Sequence, residues 1–467
     1  MNYKISFILL VRTILILCGG ILFTRLSIDA IGLSNWGIFN TIFAIVSITT
    51  FYSGSISNVI NRYASIEKHR INTNIRKFIK IIIKLFIIST CLSLCVLLLL
   101  YQLYDYHSNS ILFFLLAFSI FTRSFSDYLT CLLIVLEYPG LILIITLLEI
   151  STKLCLILYL SLPEPIANVI YATLVSSILT CFLLSLSLVR LSMKKTQLCD
   201  NLSISDVRSY FGWVTIGSLA GNLNNFGVTG VIGVSTDPAF VATRAITNQL
   251  AQALFQVVKS FHSGASPSLI HRYSTNNGSS NDFYLVSKLN IFIFFFGSTI
   301  LLIFNDEIVY MLTGEKIFHA QYFILLSILA SLIDVISLAL ISLVQAKGDM
   351  KPYMIRVGSL MLLTLPMYFV SSVHYNSDWL IFYCLILSNI IALLARIIFV
   401  KKYIQNDLEM AKIFKISALI LIFYCFILNV KLETLNSKLA IFIILNVYLF
   451  LILDLKQWIF TVIKVQK

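Results

Sequence analysis

Ile79–Leu103 reads IKIIIKLFIISTCLSLCVLLLLYQL, a run whose only charges, Lys80 and Lys84, sit at one end. A helix rises about 1.5 Å per residue and a bilayer's hydrocarbon core is about 30 Å thick, so about 20 mostly apolar residues cross it. A surface helix of a soluble protein would interrupt the run with a polar face, and a barrel strand would alternate. This stretch is a membrane-spanning helix, and the rest of the chain repeats its pattern. Of 467 residues, 59% are hydrophobic and 12% charged, where soluble domains stand near one half and one quarter. That composition excludes a soluble enzyme, a nucleic-acid binder and an outer-membrane barrel, and leaves an all-α integral membrane protein.

Apolar windows between polar breaks predict 14 transmembrane helices, at 5–31, 34–60, 79–103, 111–137, 139–161, 167–192, 209–235, 239–261, 284–306, 318–345, 352–374, 378–400, 413–430 and 439–455. The first has Lys4 before it and no small-residue cleavage site after it, so it reads as a span and not as a removed signal peptide. The eighth carries Arg244, Asn248, Gln249, Gln252 and Gln256 among Leu250, Leu254, Phe255 and Val258, so it is expected to line protein or water. The nine cysteines (Cys18, Cys91, Cys95, Cys131, Cys155, Cys181, Cys199, Cys384, Cys425) form no CxxC pair and mostly lie in apolar runs, where they act as small hydrophobes.

Cation placement sets the orientation. With the N-terminus in the cytoplasm, inside loops hold 18 lysines and arginines, from Lys4 through the Arg62–Lys77 cluster to Lys467, while outside loops hold Lys316, Lys431 and Lys438. The bias obeys the positive-inside rule and places both termini in the cytoplasm. The outside loops are all short, which leaves no room for a catalytic domain, and no enzyme activity is expected.

The polar stretch 193–208 divides the first 12 helices into two sets of six, each with a hairpin turn rich in Gly and Pro, Glu137-Tyr138-Pro139-Gly140 and Gly348-Asp349-Met350-Lys351-Pro352. This is the pattern of a two-lobed transporter with parallel repeats. The expected organisation is an N-terminal lobe (1–192), a cytoplasmic linker (193–208), a C-terminal lobe (209–400), and two appended helices with a cytoplasmic tail (401–467).

Eight further cations, Lys80, Lys84, Arg190, Lys259, Lys288, Arg356, Arg396 and Lys415, lie near cytoplasmic helix ends, where snorkelling accounts for them. Arg12, Arg25 and Arg244 lie further from such an end, and Arg123 and Lys153 are deepest. Arg123 has Asp127 four residues on, and Lys153 has Glu149 four residues back. Both bases are 15 residues from the turn at Tyr138, about 22 Å along a helix, and both acids are 11 away, about 16 Å. Four charges at matched depth on neighbouring helices form a crosswise network. It either pins the hairpin or lines a hydrated cavity, where the cost of central charges is met by function. Asp334, in the middle of the tenth helix, is either an ion-coupling group or a hydrogen-bonded core carboxylate.

On the seventh helix, Gly217, Gly221, Gly227, Gly230 and Gly233 favour close packing, with Asn222, Asn224 and Asn225 as second-choice sugar contacts. The six histidines fall in loops or at helix ends without metal-ligand spacing, and no Walker loop, GxSxG, HExxH or nucleotide fingerprint occurs.

Three stretches carry a resemblance. Ala30-Ile31-Gly32-Leu33-Ser34-Asn35-Trp36-Gly37-Ile38 is followed by Gly54 and Asn61-Arg62-Tyr63-Ala64-Ser65. Val241-Ala242-Thr243-Arg244-Ala245-Ile246-Thr247-Asn248-Gln249 leads to Ala265-Ser266-Pro267-Ser268-Leu269, and Gln345-Ala346-Lys347-Gly348-Asp349-Met350-Lys351-Pro352-Tyr353 closes the series. In this order they resemble the Wzx-type O-antigen and capsule flippases, with Trp36 in place of a usual tyrosine. That family lies within the superfamily that also contains MATE exporters and the peptidoglycan lipid flippase.

The resemblance implies a V-shaped pair of lobes around a central cationic cavity, alternating access, and an undecaprenyl-diphosphate-linked oligosaccharide as cargo. Membrane lipids and polysaccharide polymerase machinery are the implied partners, no nucleic acid is involved, and the chain is expected to act as a monomer. On depth and charge, Arg12, Arg123, Lys153 and Arg244 are the candidates for binding the cargo's diphosphate. Asp127, Glu149 and Asp334 are the candidates for coupling to a proton or sodium gradient, with no cofactor. The competing readings are a MATE-like exporter of organic cations, a membrane glycan polymerase, and a scaffold that does not transport.

Overall fold

The computed structural model describes residues 3–66, parts of 83–98, and 110–136, 138–160, 164–192, 204–235, 238–274, 280–314, 317, 320–374, 379–403, 407–429 and 435–453. No strand occurs among them. The helices are Tyr3–Ile31 (α1), Leu33–Ile48 (α2), Tyr52–Ile66 (α3), the described part of Phe86–Leu98 (α4), Ser110–Val135 (α5), Pro139–Tyr159 (α6) and Pro165–Ser192 (α7) in the first half. The second half has Ile204–Asn222 (α8), Val228–Ser235 (α9), Pro238–Ser274 (α10), Ser280–Ile303 (α11), Asn305–Thr313 (α12), Ala320–Lys347 (α13), Met350–Arg356 (α14), Thr364–Ser372 (α15) and Leu380–Val400 (α16). Asp407–Asn429 (α17) and Leu435–Ile452 (α18) follow and pack on α11.

Among the described residues, eight helices are long and apolar enough to cross a membrane, and four shorter apolar ones accompany them. The polar α10 and the α8–α9 rod complete the 14 expected spans. Large apolar side chains such as Phe182, Ile398, Ile422 and Leu451 point outward, as lipid-facing surfaces require.

Three spans are interrupted where the sequence predicts continuous helices. Between α2 and α3, Thr49 and Thr50 turn their hydroxyls back onto the carbonyls of Val46 and Ser47, at 2.7 and 2.9 Å. Two adjacent threonines thereby offer the backbone an alternative to the helical ladder. Leu223–Gly227 forms a π-helical turn between α8 and α9, and Gly358–Leu363 a 3-10 stretch between α14 and α15.

Two expectations about charged groups are corrected. Helix α10 does not end near 261 but continues to Ser274, so His262 is interior: it is buried, with Nε2 2.8 Å from Ser342 Oγ and Nδ1 3.2 Å from Asn290 Nδ2. Arg396 does not snorkel. It is buried, and its Nε donates to the Tyr353 hydroxyl at 2.6 Å. Helix α8 begins at Ile204, inside the expected linker, while 193–203 and the tail beyond 453 lie outside the described residues.

The halves meet along two seams. Helix α1 runs antiparallel to α10, with Thr13 Oγ1 2.5 Å from Ser260 Oγ, and Thr24 Oγ1 donating to Gln249 Oε1 at 3.0 Å. Helices α2 and α3 face α8 and α9: Asn222 Nδ2 donates to the Ser47 carbonyl at 3.2 Å, and Gly233 packs so close to Thr41 that a Cβ there would stand 2.3 Å from its hydroxyl. At one end of the second seam Gly37 touches the Pro238 backbone, and at the other Gln345 Nε2 donates to Asn58 Oδ1 at 3.3 Å.

Candidate functional site

All the candidate charges but Lys153 fall in two cavities, and each cavity is lined from within one half instead of between the halves. The first-half cavity is walled by α1, α5, α6 and α7 and contains Arg12, Arg123, Asp127 and Glu149 with Ser126, Thr130, Thr146, Ser177 and Thr180. It is small, about 20 Å³. Pro139 starts α6 directly after Tyr138, which sets α6 beside α5 at the matched depths the sequence predicts. Arg123 then bonds across the hairpin: its Nη1 lies 2.9 Å from Glu149 Oε1. The crosswise pair forms, whereas the local Arg123–Asp127 pair is absent from the ion pairs of the described residues.

These groups are not sealed in dry packing. The Arg123 side chain is 47% exposed and Glu149 15%, and Asp127 is exposed beside them. Arg12 reaches the cavity from α1 and donates from Nε to Thr146 Oγ1 at 2.9 Å. It feels the charges of Asp127, Glu149 and Arg123 together. Lys153 does not join the cavity lining. Its ammonium lies 3.7 Å from the centroid of the Phe23 ring on α1, a cation–π contact.

The second-half cavity measures about 170 Å³ and lies between the π-turn, α10, α13 and α16. Arg244, Asn248 and Gln252 come to it from one stripe of α10 at four-residue spacing, which explains why this polar helix can sit in a membrane. Ser327 and Asp334 reach it from α13, Phe382 and Asn389 from α16, and Gly221, Asn224 and Asn225 from the α8 end. Arg244 is 2% exposed; its Nη1 donates to Ser327 Oγ at 3.1 Å, its guanidinium covers the Phe382 ring at 4.9 Å, and its Nε has no hydrogen-bond partner among the described residues.

Thus Arg12, Arg123, Asp127 and Glu149 share one site, Arg244 and Asp334 another, and Lys153 stands apart. Sequence reading passed over Asn389 and assigned Arg396 to snorkelling. The first is a lone amide in an apolar helix. The second reaches with Nη2 toward Met361, a residue of the cavity lining, and its charge acts on Asp334. A lone polar residue within an apolar run is the available signal for both. The seventh-helix glycines divide: Gly217, Gly230 and Gly233 pack against neighbours, while Gly221 has open space. No group of three metal-ligating side chains occurs among the described residues.

Comparison with solved structures places this architecture. A MATE transporter from Vibrio cholerae, VcmN, solved as a mutant, is 13% identical over 87% of this chain and 97% of that one, with a TM-score of 0.57. The MATE multidrug transporter DinF-BH, solved as a complex, is 11% identical over 86% and 94%, with a TM-score of 0.62. A MOP superfamily transporter from Pyrococcus furiosus gives the same figures, 11%, 86%, 94% and 0.62. The chain has the fold of the MATE and MOP superfamily transporters and is a multi-pass helical membrane protein. No family model and no curated protein sequence matches it.

Proposed function

We propose that the chain is a flippase, moving an undecaprenyl-diphosphate-linked oligosaccharide repeat unit, of O-antigen or capsule, from the cytoplasmic to the periplasmic face of a bacterial inner membrane. The observation that carries this reading is the charge inside the membrane. Arg12, Arg123, Lys153 and Arg244 stand against Asp127, Glu149 and Asp334, and guanidinium groups are the natural partners of phosphate oxygens. An exporter of organic cations needs the opposite balance. For the P. furiosus transporter, a binding pocket of reversed polarity suggests a different function, and the cation excess here supports a similar departure.

Transport is by alternating access. A cavity of about 170 Å³ is below the about 300–1,000 Å³ of drug-sized sites, so cargo enters only when the two seams part in turn. Asp127, Glu149 and Asp334 link that motion to protons or sodium ions. The second reading, a MATE-like exporter of organic cations, is favoured by one feature, the exposed Asp127 beside Glu149 in the first-half cavity.

Complementation of a flippase-null strain separates them. Wild type restores surface glycan, and Arg123→Ala or Lys153→Ala abolishes it while membrane insertion is unchanged. Full glycan in both variants removes these residues from the mechanism. Protection against a cationic dye without restored glycan overturns the flippase reading in favour of the exporter.

A further inference from the structure

The lining of the second-half cavity suits a polyol better than an anion. A diphosphate accepts hydrogen bonds and offers none, so a site built for it presents donors and positive charge alone. Here the Asp334 carboxylate lines the same cavity as Arg244, so the lining is not donors and positive charge alone. Five amides, Asn224, Asn225, Asn248, Gln252 and Asn389, surround the pair. Each presents donors and an acceptor on one planar head, which matches sugar hydroxyls that both give and take a hydrogen bond.

Most of that capacity is unused. The Asn224 Nδ2 to Asn389 Oδ1 contact is long, 3.5 Å, and Asn225, Asn248 and Gln252 make no side-chain hydrogen bond among the described residues. The Arg244 Nε–H is buried without a partner among the described residues, a costly state that an incoming hydroxyl oxygen relieves. Phe255 adds an apolar ring to the wall. The volume, about 170 Å³, equals that of roughly six waters at about 30 Å³ each, the size of one small ring and not of an oligosaccharide.

We infer that the second-half cavity is a sugar subsite that takes one neutral pyranose ring of the cargo, while the diphosphate lies against Arg12 and Arg123 of the first half. Arg244 donates and Asp334 accepts across the ring, and the amides read the remaining hydroxyls. This rests on the flippase reading. It assigns the specificity for the repeat unit to the second half and the shared lipid-diphosphate chemistry to the first.

The test uses the full chain in nanodiscs and two probes: undecaprenyl diphosphate, and undecaprenyl-diphosphate-linked repeat unit extracted from polymerase-deficient cells of the source bacterium. Wild type binds the glycan-bearing lipid at least about tenfold more tightly than the bare one. Asn248→Leu abolishes that difference and leaves bare-lipid affinity unchanged, whereas Arg12→Ala weakens both lipids equally. Should Asn248→Leu fail to fold, Gln252→Leu, at a half-buried position, carries the same comparison. Equal wild-type affinity for the two lipids, or an undiminished preference in the leucine variant, overturns the sugar subsite while the flippase reading stands. Binding of neither lipid by wild type overturns the flippase reading itself.

Discussion

Gly37 lies where α2 crosses the start of α10, at one end of a seam between the halves. A Cβ at this position would stand 2.0 Å from the Pro238 carbonyl oxygen, and ordinary contact begins near 3.4 Å. Gly37→Ala therefore forces the two backbones about 1.4 Å apart. Overpacking of this kind costs about 1–3 kcal/mol, and a backbone obstacle, unlike a flexible side chain, cannot swing away. Under the proposed alternating access the strain bears on the closed seam alone, so the balance between closed and open forms shifts about 5- to 150-fold toward open. The reporter is Thr41→Cys in an otherwise cysteine-free chain, because Thr41 is 4% exposed and packed on Gly233 one turn along the same seam. An impermeant maleimide added from the face on which Gly37 lies should label it faster by that factor in the alanine background. Unchanged labelling together with an unchanged melting temperature would show that the α2–α10 contact does not hold the seam, and the reasoning would fall.

Other perturbations are read in the same way. His262→Ala leaves Ser342 and Asn290 without the ring that joins them, which lowers stability by about 1–3 kcal/mol; His262→Asn recovers part of the melting temperature. At the turn after α13, the Tyr403 hydroxyl and the Lys402 ammonium donate to Asp349 and hold its carboxyl below the usual carboxylate range. A lowered value contributes stability above the group's ordinary pKa of about 3.9 and loses it as pH falls through the folded value. Tyr403→Phe should therefore be less stable at pH 7, by no more than about 1 kcal/mol for so exposed a cluster. The gap should close in melting curves taken below about pH 4.

The spans are legible because burial in lipid demands length and apolarity at once, and windows of composition detect both. The same windows misjudge helices whose polar faces are turned toward protein. The second half of α10, with Ser260, His262, Ser263 and Ser266, reads as a helix end followed by a loop, yet protein packs around it and the helix runs on. Depth arithmetic from Tyr138 anticipates the Arg123–Glu149 bridge because both helices leave one tight turn. No such ruler connects Arg244 with Asp334, on helices separated by α11 and α12, so their shared cavity emerges only from the packing of α10 on α13. The break at Thr49 and Thr50 depends on hydroxyl orientation, which a hydropathy pattern does not encode.

The π-turn at Leu223–Gly227 carries one further consequence. An α-helix advances about 100° per residue, and a turn that closes over five residues holds one more than its neighbours, so every residue beyond it is offset by one position from where an unbroken α-helix would place it. Gly217 meets Met354 on one side of that offset, and Gly230 and Gly233 meet Ile45 and Thr41 on the other. Converting 223–227 to regular α-helix with every residue kept would swing both later glycines about 100° off α2, whereas removing a single residue there would restore an unbroken helix and leave them facing it. The angular phase of the rod is thus held by the one segment that also delivers two asparagines to the cavity.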